Sequence, residues 1–169
     1  MLYTPAEDSF LLQKQVRKYA KGKVLDLGTG SGIQALTALE KTKDVLAADI
    51  NSEAVKNCKK LGIKAVKSDL FSNIQGKFDL IIFNPPYLPD DNLNLKDDLN
   101  YIGGKKGSEI LDKFFSQAKK HLNKNGKILI VFSSLTLDVN KIIKKYRFKF
   151  KKLSEQKFFF EKLFVYLIY

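Results

Sequence analysis

The sequence predicts a mixed α/β fold in which helices alternate with the strands of a mostly parallel sheet. Short apolar runs alternate with longer segments of helical periodicity, and the chain contains neither repeats nor low-complexity stretches. Several apolar runs also end in an acidic or amide residue, as expected where open α/β sheets bind ligands at the carboxyl ends of their strands. The 169 residues suggest one domain, 1–169, able to bury about 70% of the surface that the unfolded chain exposes.

The first predicted element is a helix that runs to about Tyr19. Thr4 is placed to act as its N-cap, Pro5 suits the first helical position, and Glu7 would complete a capping box. Strands and helices then alternate along the chain. The strands are predicted near 23–27, 45–49, 64–67, 78–83 and 127–132, and the helices near 32–41, 52–61, 108–122 and 137–146.

The C-terminal segment is apolar and aromatic and predicts a hairpin. Its strands would run over Phe148–Leu153 and Phe160–Tyr169. The run Phe158-Phe159-Phe160 is expected in the core and not on a base-stacking surface, because phenylalanine is usually buried.

The tetrapeptide Asn84-Pro85-Pro86-Tyr87 follows the apolar run 78–83 and indicates a catalytic site for a planar nitrogen. Each proline fixes φ and removes a backbone donor, so the Asn84 amide and the Pro85 carbonyl become fixed acceptors. Two acceptors can hold an NH2 group, and Tyr87 could lie against its π-system. An Asn-Pro pair alone is usually only a turn signal, so this interpretation depends on the rest of the chain.

A second motif joins the apolar strand Val24–Leu27 to a helix through the glycines of Gly28-Thr29-Gly30-Ser31-Gly32. Glycines let a ligand approach the backbone, and the free amides of the following helix point toward it. The spacing is GxGxG and not the GxGxxG of dinucleotide sites. Asp26 suits a ligand that carries an ammonium group, such as the methionine end of S-adenosylmethionine, because a carboxylate would repel a pyrophosphate.

Two more carboxylates follow predicted strands. Asp49 lies 19 residues after Gly30, the interval at which doubly wound folds bind ribose hydroxyls. Asp69 could accept a hydrogen bond from an adenine amino group while Leu70 covers the ring. Each Asp alone is more often a turn or cap residue, but all three lie at carboxyl ends of predicted parallel strands.

These segments together resemble the class I S-adenosylmethionine-dependent methyltransferases of the HemK type, which methylate the side-chain nitrogen of a glutamine. The resemblance implies a Rossmann-like sheet with strand order 3-2-1-4-5-7-6, S-adenosyl-L-methionine as cofactor, and Ser9 beside it. Residues 3–12 and 103–112 are similar to the short archaeal and eukaryotic branch, whose eukaryotic members modify the glutamine of the GGQ loop in a class I translation release factor. Glu7 and Asp8 are then expected at the rim of the site.

The resemblance also implies a partner. Bacterial HemK-type enzymes carry an N-terminal helical domain that helps to hold the release factor, and the short branch lacks it. That branch is activated by a small zinc-binding protein that continues the sheet. In the implied strand order Ile63–Lys67 forms an exposed edge, where a heterodimer would form.

Composition predicts a cytoplasmic location. It does not decide whether the chain contacts nucleic acid. Residues 111–169 hold 14 Lys and Arg against four Asp and Glu, and so carry +10 of the formal net charge of +12. This basic half could meet RNA or a ribosome-bound factor weakly, or only water. The single cysteine, Cys58, excludes an intramolecular disulfide, one histidine excludes a Cys/His metal cluster, and no apolar run is long enough for a membrane span.

Alternative functions remain at this point. A nucleic-acid methyltransferase acting on adenine N6 or guanine N2 would use the same tetrapeptide on a flipped base. A protein methyltransferase could also act on lysine instead of glutamine. A non-catalytic partner with this fold is disfavoured by the intact Asp49 and Asn84. The long segment 84–107 is expected to form a lid or an acidic rim that favours a protein substrate. His121 is expected in a helix away from the motifs.

Overall fold

The computed structural model describes residues 4–87 and 108–169, which build a seven-stranded sheet with helices packed against it. The helices are α1 Glu7–Tyr19, α2 Ile33–Leu39, α3 Ser52–Lys60, α4 Glu109–Ala118 and α5 Val139–Lys145. The strands are β1 Val24–Leu27, β2 Val45–Asp49, β3 Lys64–Lys67, β4 Phe78–Phe83, β5 Leu122–Ser133, β6 Phe150–Lys157 and β7 Lys162–Ile168. Their spatial order is β3-β2-β1-β4-β5-β7-β6. The expected order is therefore confirmed.

The sheet is parallel from β3 to β5, and β7 then runs antiparallel to both β5 and β6. The central strands β1 and β4 are apolar along nearly their whole length because side chains cover both of their faces. All four residues of β1 are buried, including Asp26. A buried carboxylate in a central strand requires hydrogen-bonding partners, and these lie in the candidate site.

The start of α1 differs from the prediction. The helix begins at Glu7 after Ala6, no side chain caps it, and Thr4 is exposed outside it. The Asp8 carboxylate instead accepts a hydrogen bond from the backbone N–H of Ser9, at 2.6 Å. The capping box expected from Thr4 and Glu7 is therefore wrong, because the helix begins two residues later than a Thr4 cap requires, after Ala6, which has no side-chain acceptor.

The tip of the last hairpin also differs from the prediction. Phe159 and Phe160 are 92% and 85% exposed, and Phe158 is half-buried. Residues 158–161 connect β6 to β7. Phe158 packs against the core, whereas Phe159 and Phe160 extend past the sheet. The expectation that this run is buried is wrong for Phe159 and Phe160.

His121 lies in a single 3-10 turn that follows α4, and not in the longer α-helix predicted there. Its ring stacks on Phe71 with a centroid distance of 4.6 Å, which gives it a packing role. Cys58 is fully buried, as expected for a packed thiol, and burial raises its pKa.

The strand β3 forms one edge of the sheet and pairs only with β2 among the described strands. Lys64 and Lys67 are exposed, whereas Ala65 and Val66 are half-buried. The exposed edge expected for Ile63–Lys67 is thus present over Lys64–Lys67, but Ile63 is buried and does not contribute apolar surface to it. Among residues 4–87 and 108–169, no helix is long and apolar enough to cross a bilayer.

Candidate active site

A cleft opens at the carboxyl ends of β1, β2 and β4, the edge at which open parallel sheets bind ligands. The predicted site residues all line it. They are Ser9, Asp26, Gly28, Gly30, Asp49, Asp69, Leu70, Asn84, Pro85, Pro86 and Tyr87. The cleft is also lined by Asp8, Ser31, Gln34 and Ile50, which the sequence did not mark as ligand-binding residues.

The glycine loop forms a tight turn between β1 and α2. Gly28, Gly30 and Gly32 adopt positive φ angles of 67°, 51° and 87°, which residues with a Cβ atom rarely reach. At Gly32 a Cβ atom would also lie 3.2 Å from the Cys58 Sγ atom. The loop backbone therefore remains open toward the cleft, as the glycine pattern predicts.

Asp26, in strand β1, anchors this loop through hydrogen bonds. One of its carboxylate oxygens accepts hydrogen bonds from the Thr29 hydroxyl at 2.6 Å and from the Ala35 N–H at 3.0 Å. Burial raises the pKa of Asp26 to about 7; the two hydrogen bonds oppose this increase, and the nearby Asp49 adds to it. A cation placed next to this carboxylate would therefore stabilise its charged form.

Asp49, at the end of strand β2, anchors the same loop. Its two oxygens accept hydrogen bonds from the backbone N–H groups of Gly30 and Asn51, each at 2.8 Å. The cap of α3 is Asn51, whose side chain accepts from the Glu53 N–H. Asp49 thus ties the glycine loop to the end of β2 while it lines the cleft.

Asp69 and Leu70 lie beyond the end of β3, on the same side of the cleft. Asp69 is exposed, and Leu70 adopts a φ of 46°, in the left-handed region that residues other than glycine seldom occupy. The Ser68 hydroxyl donates to the Leu70 carbonyl at 2.7 Å and holds this conformation. An apolar side chain and an exposed carboxylate therefore stand side by side, as an aromatic amine would require.

On the opposite side, Asn84 follows β4 and is held by α1. Its Nδ2 atom donates to Asp8 Oδ2 at 3.1 Å, and the Tyr87 hydroxyl donates to the same oxygen, also at 3.1 Å. A carboxylate at this position accepts these bonds, so the amide nitrogen of Asn84 must face it and the amide oxygen must face away. Asp8 therefore fixes the orientation of the predicted acceptor.

The Asn84 Oδ1 atom is buried and accepts no hydrogen bond from the described residues. An unsatisfied buried acceptor costs about 1–3 kcal/mol, so such a group is rarely left without a purpose. The prolines that follow fix the backbone, and the Thr136 hydroxyl donates to the Tyr87 carbonyl at 2.8 Å. The tetrapeptide is thus anchored at both ends and holds one buried acceptor that lacks a partner among the described residues.

Gln34 shows a similar pattern at the start of α2. Its Nε2 atom donates to the Ser9 carbonyl at 2.8 Å, so its Oε1 atom points away from α1. Within the described part of the chain this oxygen is buried without a hydrogen-bonding partner, as is the Ser31 hydroxyl. The cleft therefore holds further polar atoms that a ligand could satisfy.

Asp8 was expected at the rim, but it is buried beneath Asn84 and Tyr87, with only 4% of its surface exposed. The sequence contains a signal for this position. Asp8, Leu11, Leu12 and Gln15 follow the spacing of one helix face, and all four are buried. An acid on the apolar face of a helix predicts a buried partner. The lid proposed for 84–107 falls mainly outside the described residues.

Comparison with known proteins gives three findings. The chain matches the methyltransferase small domain family over residues 7–160. It is 39% identical, over 97% of its own length and 89% of the relative's, to a putative protein N5-glutamine methyltransferase of Methanocaldococcus jannaschii. It is also 37% identical over 69% of its length to a release factor glutamine methyltransferase of Borreliella burgdorferi, of which it spans 46%.

Among solved structures, the chain resembles the Mtq2–Trm112 complex of E. cuniculi, which is described as responsible for methylation of the translation termination factor eRF1. The TM-score is 0.81 at 24% identity, and the superposition covers 99% of this chain and 97% of the other. This likeness supports the fold.

Proposed function

We propose that this chain, which belongs to the methyltransferase small domain family, transfers a methyl group from S-adenosyl-L-methionine to the side-chain nitrogen of a glutamine in a protein. The observation that carries the proposal is the buried Asn84 Oδ1 acceptor, which Asp8 orients at the end of β4. An acceptor held in this way suits a substrate that brings an N–H donor. The relatives named for glutamine methylation give the substrate class.

The chemical difficulty is that an amide nitrogen is a poor nucleophile, since its lone pair is delocalised into the carbonyl. Asn84 Oδ1 and the Pro85 carbonyl would accept its two hydrogens, and Tyr87 would pack against the amide plane. As the N–C bond forms and the bond from the methyl carbon to the sulfonium sulfur breaks, the nitrogen would become more positive and its hydrogens stronger donors. The sulfur would leave as a neutral thioether, and one of the two hydrogens would leave the nitrogen as a proton to solvent water. Both acceptors are therefore expected to hold the transition state more tightly than the ground state.

The cofactor supplies an activated methyl group on a sulfonium, and the opposite side of the cleft fits it. Asp49 would accept hydrogen bonds from ribose hydroxyls, and Asp69 with Leu70 would hold the adenine. Asp26 would attract the ammonium group, and the open Gln34 Oε1 atom offers an acceptor for it. Gly28 and Gly30 leave space along the loop, and Ser9 adds a hydroxyl near Asn84.

The protein substrate we propose is a class I translation release factor, methylated on the glutamine of its GGQ loop. Two relatives support this choice, because one is named for release factors and the other is described as acting on eRF1. A cytoplasmic location follows from such a substrate. Any contact of the basic C-terminal half with RNA or the ribosome would be weak and unspecific.

We further propose that the β3 edge binds a small zinc-binding protein that continues the sheet. The backbone of Lys64–Lys67 pairs on one side only among the described strands, and Ala65 and Val66 are partly exposed beside it. The similar Mtq2 chain was solved with a partner, Trm112. Co-expression and gel filtration should give a heterodimer that Val66→Lys disrupts, whereas Lys151→Glu on β6 at the opposite edge should not.

The test of the catalytic proposal uses methyl-labelled cofactor, the chain co-expressed with its partner, and a class I release factor. We expect label on the release factor, at a glutamine side-chain nitrogen by mass spectrometry, and none on a factor whose GGQ glutamine is changed to alanine. Label on lysine, or on added RNA but not on protein, would overturn the proposal in favour of the corresponding alternative.

A further inference from the structure

The hairpin between β6 and β7 carries the two most exposed large apolar side chains of the described chain, Phe159 and Phe160. Their rings contact each other edge to face at a centroid distance of 4.6 Å. Adjacent aromatic rings that stand almost wholly in water are unusual on a monomeric protein, and contiguous exposed apolar surface usually marks an interaction site. Neither cofactor binding nor methyl transfer, as proposed above, uses them.

The pairing of the sheet places this tip at the same edge as the candidate active site. The strand β7 runs antiparallel to β5, with Leu163 opposite Ser133, so the start of β7 lies at the carboxyl end of β5. Asn84 follows β4, which is the parallel neighbour of β5. The aromatic tip and the open Asn84 acceptor therefore lie at the same edge of the sheet.

Hydrogen bonds connect the tip to the tetrapeptide through one short loop. The Ser133 hydroxyl donates to the Glu161 carboxylate, and the Ser134 N–H donates to the Lys162 carbonyl at 2.7 Å. Two residues further on, the Thr136 hydroxyl donates to the Tyr87 carbonyl at 2.8 Å. One side of the loop thus holds the hairpin, and the other side holds the tetrapeptide.

This connecting loop adds apolar surface to the tip. Leu135 and Leu137, on either side of Thr136, are 43% and 50% exposed. We call Leu135, Leu137, Phe159 and Phe160 the aromatic rim. The rim extends from the loop that holds Tyr87 to the end of the hairpin, so it lies at the same edge of the sheet as the active site.

The charges beside the rim are only partly neutralised. Lys152 and Lys162 share Glu155, Lys141 pairs with Asp138 at 2.8 Å, and Lys157 is exposed next to the tip. A surface that binds single-stranded nucleic acid by stacking needs a row of cations that track the phosphates, in addition to aromatic rings. The rim joins four apolar side chains at the edge of a site proposed for a protein glutamine, so it fits an apolar protein segment better than RNA.

We propose that the aromatic rim docks an apolar segment of the folded protein substrate, next to the residue that is methylated. This inference rests on the proposed function, since it assigns the surface that recognises the protein around the target glutamine. The rim would supply binding energy away from the reacting nitrogen. It would therefore act mainly on the affinity for the whole substrate and not on the chemical step.

The test compares the parent enzyme, in complex with its partner, with the double variant Phe159→Ser/Phe160→Ser. Both side chains are exposed, so the thermal stability should stay unchanged. We expect KM for the intact release factor to rise at least tenfold, while kcat, cofactor affinity and the rate on a short glutamine peptide stay within about twofold. Tyr169→Ala is the matched control, because this ring is 51% exposed at the other end of the hairpin. The conservative variant Phe159→Leu/Phe160→Leu should recover part of the affinity.

The outcomes separate the rim from the proposed function. If the parent enzyme methylates the factor and the serine variant keeps its KM, the rim proposal is wrong. If the parent methylates no protein, the proposed function fails, and calorimetry of the two enzymes with the intact factor still tests docking. Equal dissociation constants of the parent enzyme and the serine variant for the factor would contradict docking at the rim. The proposal would also be wrong if the parent enzyme self-associates and the serine variant does not, because the rim would then bind a second copy of the chain. A selective loss of RNA binding would assign the rim to nucleic acid instead.

Discussion

On the β1–β2 side of the cleft the carboxylates accept mainly from backbone N–H groups, whereas on the β4 side Asp8 accepts from two side chains of the tetrapeptide in addition to one backbone N–H. Asp26 and Asp49 accept from the amides of Ala35, Gly30 and Asn51. Asp8 accepts from the Asn84 amide and leaves the Asn84 oxygen open. Changes on the first side should therefore affect folding and cofactor binding together, and changes on the second should affect turnover alone.

The largest effect is expected at Asn84. Asn84→Ala should lower the methylation rate about 10²–10³-fold, as for loss of one transition-state hydrogen bond, while cofactor affinity stays near that of the parent. Single-turnover kinetics and calorimetry measure the two quantities. Asn140→Ala on the exposed face of α5 is the control. Methylation near the parent rate would mean that the tetrapeptide is not the acceptor site.

A smaller loss of turnover is expected at Asp8, which touches Asn84 but not the substrate. Asp8→Asn should lower the rate about 10–100-fold, because an amide at this position can also donate and so permits Asn84 to turn its oxygen inward. Crystallography of the variant checks the Asn84 orientation. The neighbouring exposed carboxylate gives the control, Glu7→Gln. An unchanged rate in Asp8→Asn would leave Asp8 with a packing role only.

On the other side, Asp49→Ala should weaken cofactor binding by about 1–3 kcal/mol and lower the melting temperature at the same time. The two changes are coupled, because the same carboxylate that would bind ribose also holds the Gly30 and Asn51 amides. Calorimetry and thermal unfolding test this, with Asp44→Ala at an exposed site as control. A melting change without an affinity change would make Asp49 a structural residue.

The smallest effect is a pH dependence at Asp26, whose pKa burial raises to about 7. Below that pH the carboxyl is neutral and attracts no ammonium, so cofactor affinity should increase about tenfold between pH 6 and 8 as one proton is released. Without cofactor the free energy of unfolding should show the opposite pH dependence. Because the pKa of Asp26 is higher in the folded than in the unfolded chain, its contribution to stability falls as the pH rises from about 4 to 7.

Calorimetry in buffers of different ionisation enthalpy measures the released proton. Asp26→Asn removes the titrating group and keeps an acceptor for Thr29, so its affinity should vary little over the same pH range. A parent enzyme with equal affinity at pH 6 and pH 8 would contradict a role for Asp26 beside the ammonium.

The sequence predicted the family, the cofactor and the strand order because these follow from motifs that lie within single strand–loop segments. Asp26, Asp49 and Asn84 each end or interrupt an apolar strand, so their common edge follows from the topology alone. Homologues named as glutamine methyltransferases confirm the expected enzyme class. The individual roles of the site residues remain predictions.

What the sequence did not predict depends on contacts between distant segments. The burial of Asp8 depends on a partner 76 residues away, so the rim position that the family resemblance implied for it is wrong. The exposure of Phe159 and Phe160 depends on where the β6–β7 turn falls relative to the sheet, which hydrophobicity alone does not indicate. In both cases tertiary geometry decided the outcome.

The bond between Asp8 and Asn84 also makes catalytic competence depend on the docking of α1. The acceptor has its observed orientation only while the first helix is in place beside β4. A chain whose N-terminal helix is displaced would keep a compact sheet and lose activity first. Hydrogen exchange in α1 should therefore track inactivation by mild denaturant more closely than exchange in β1 or β4.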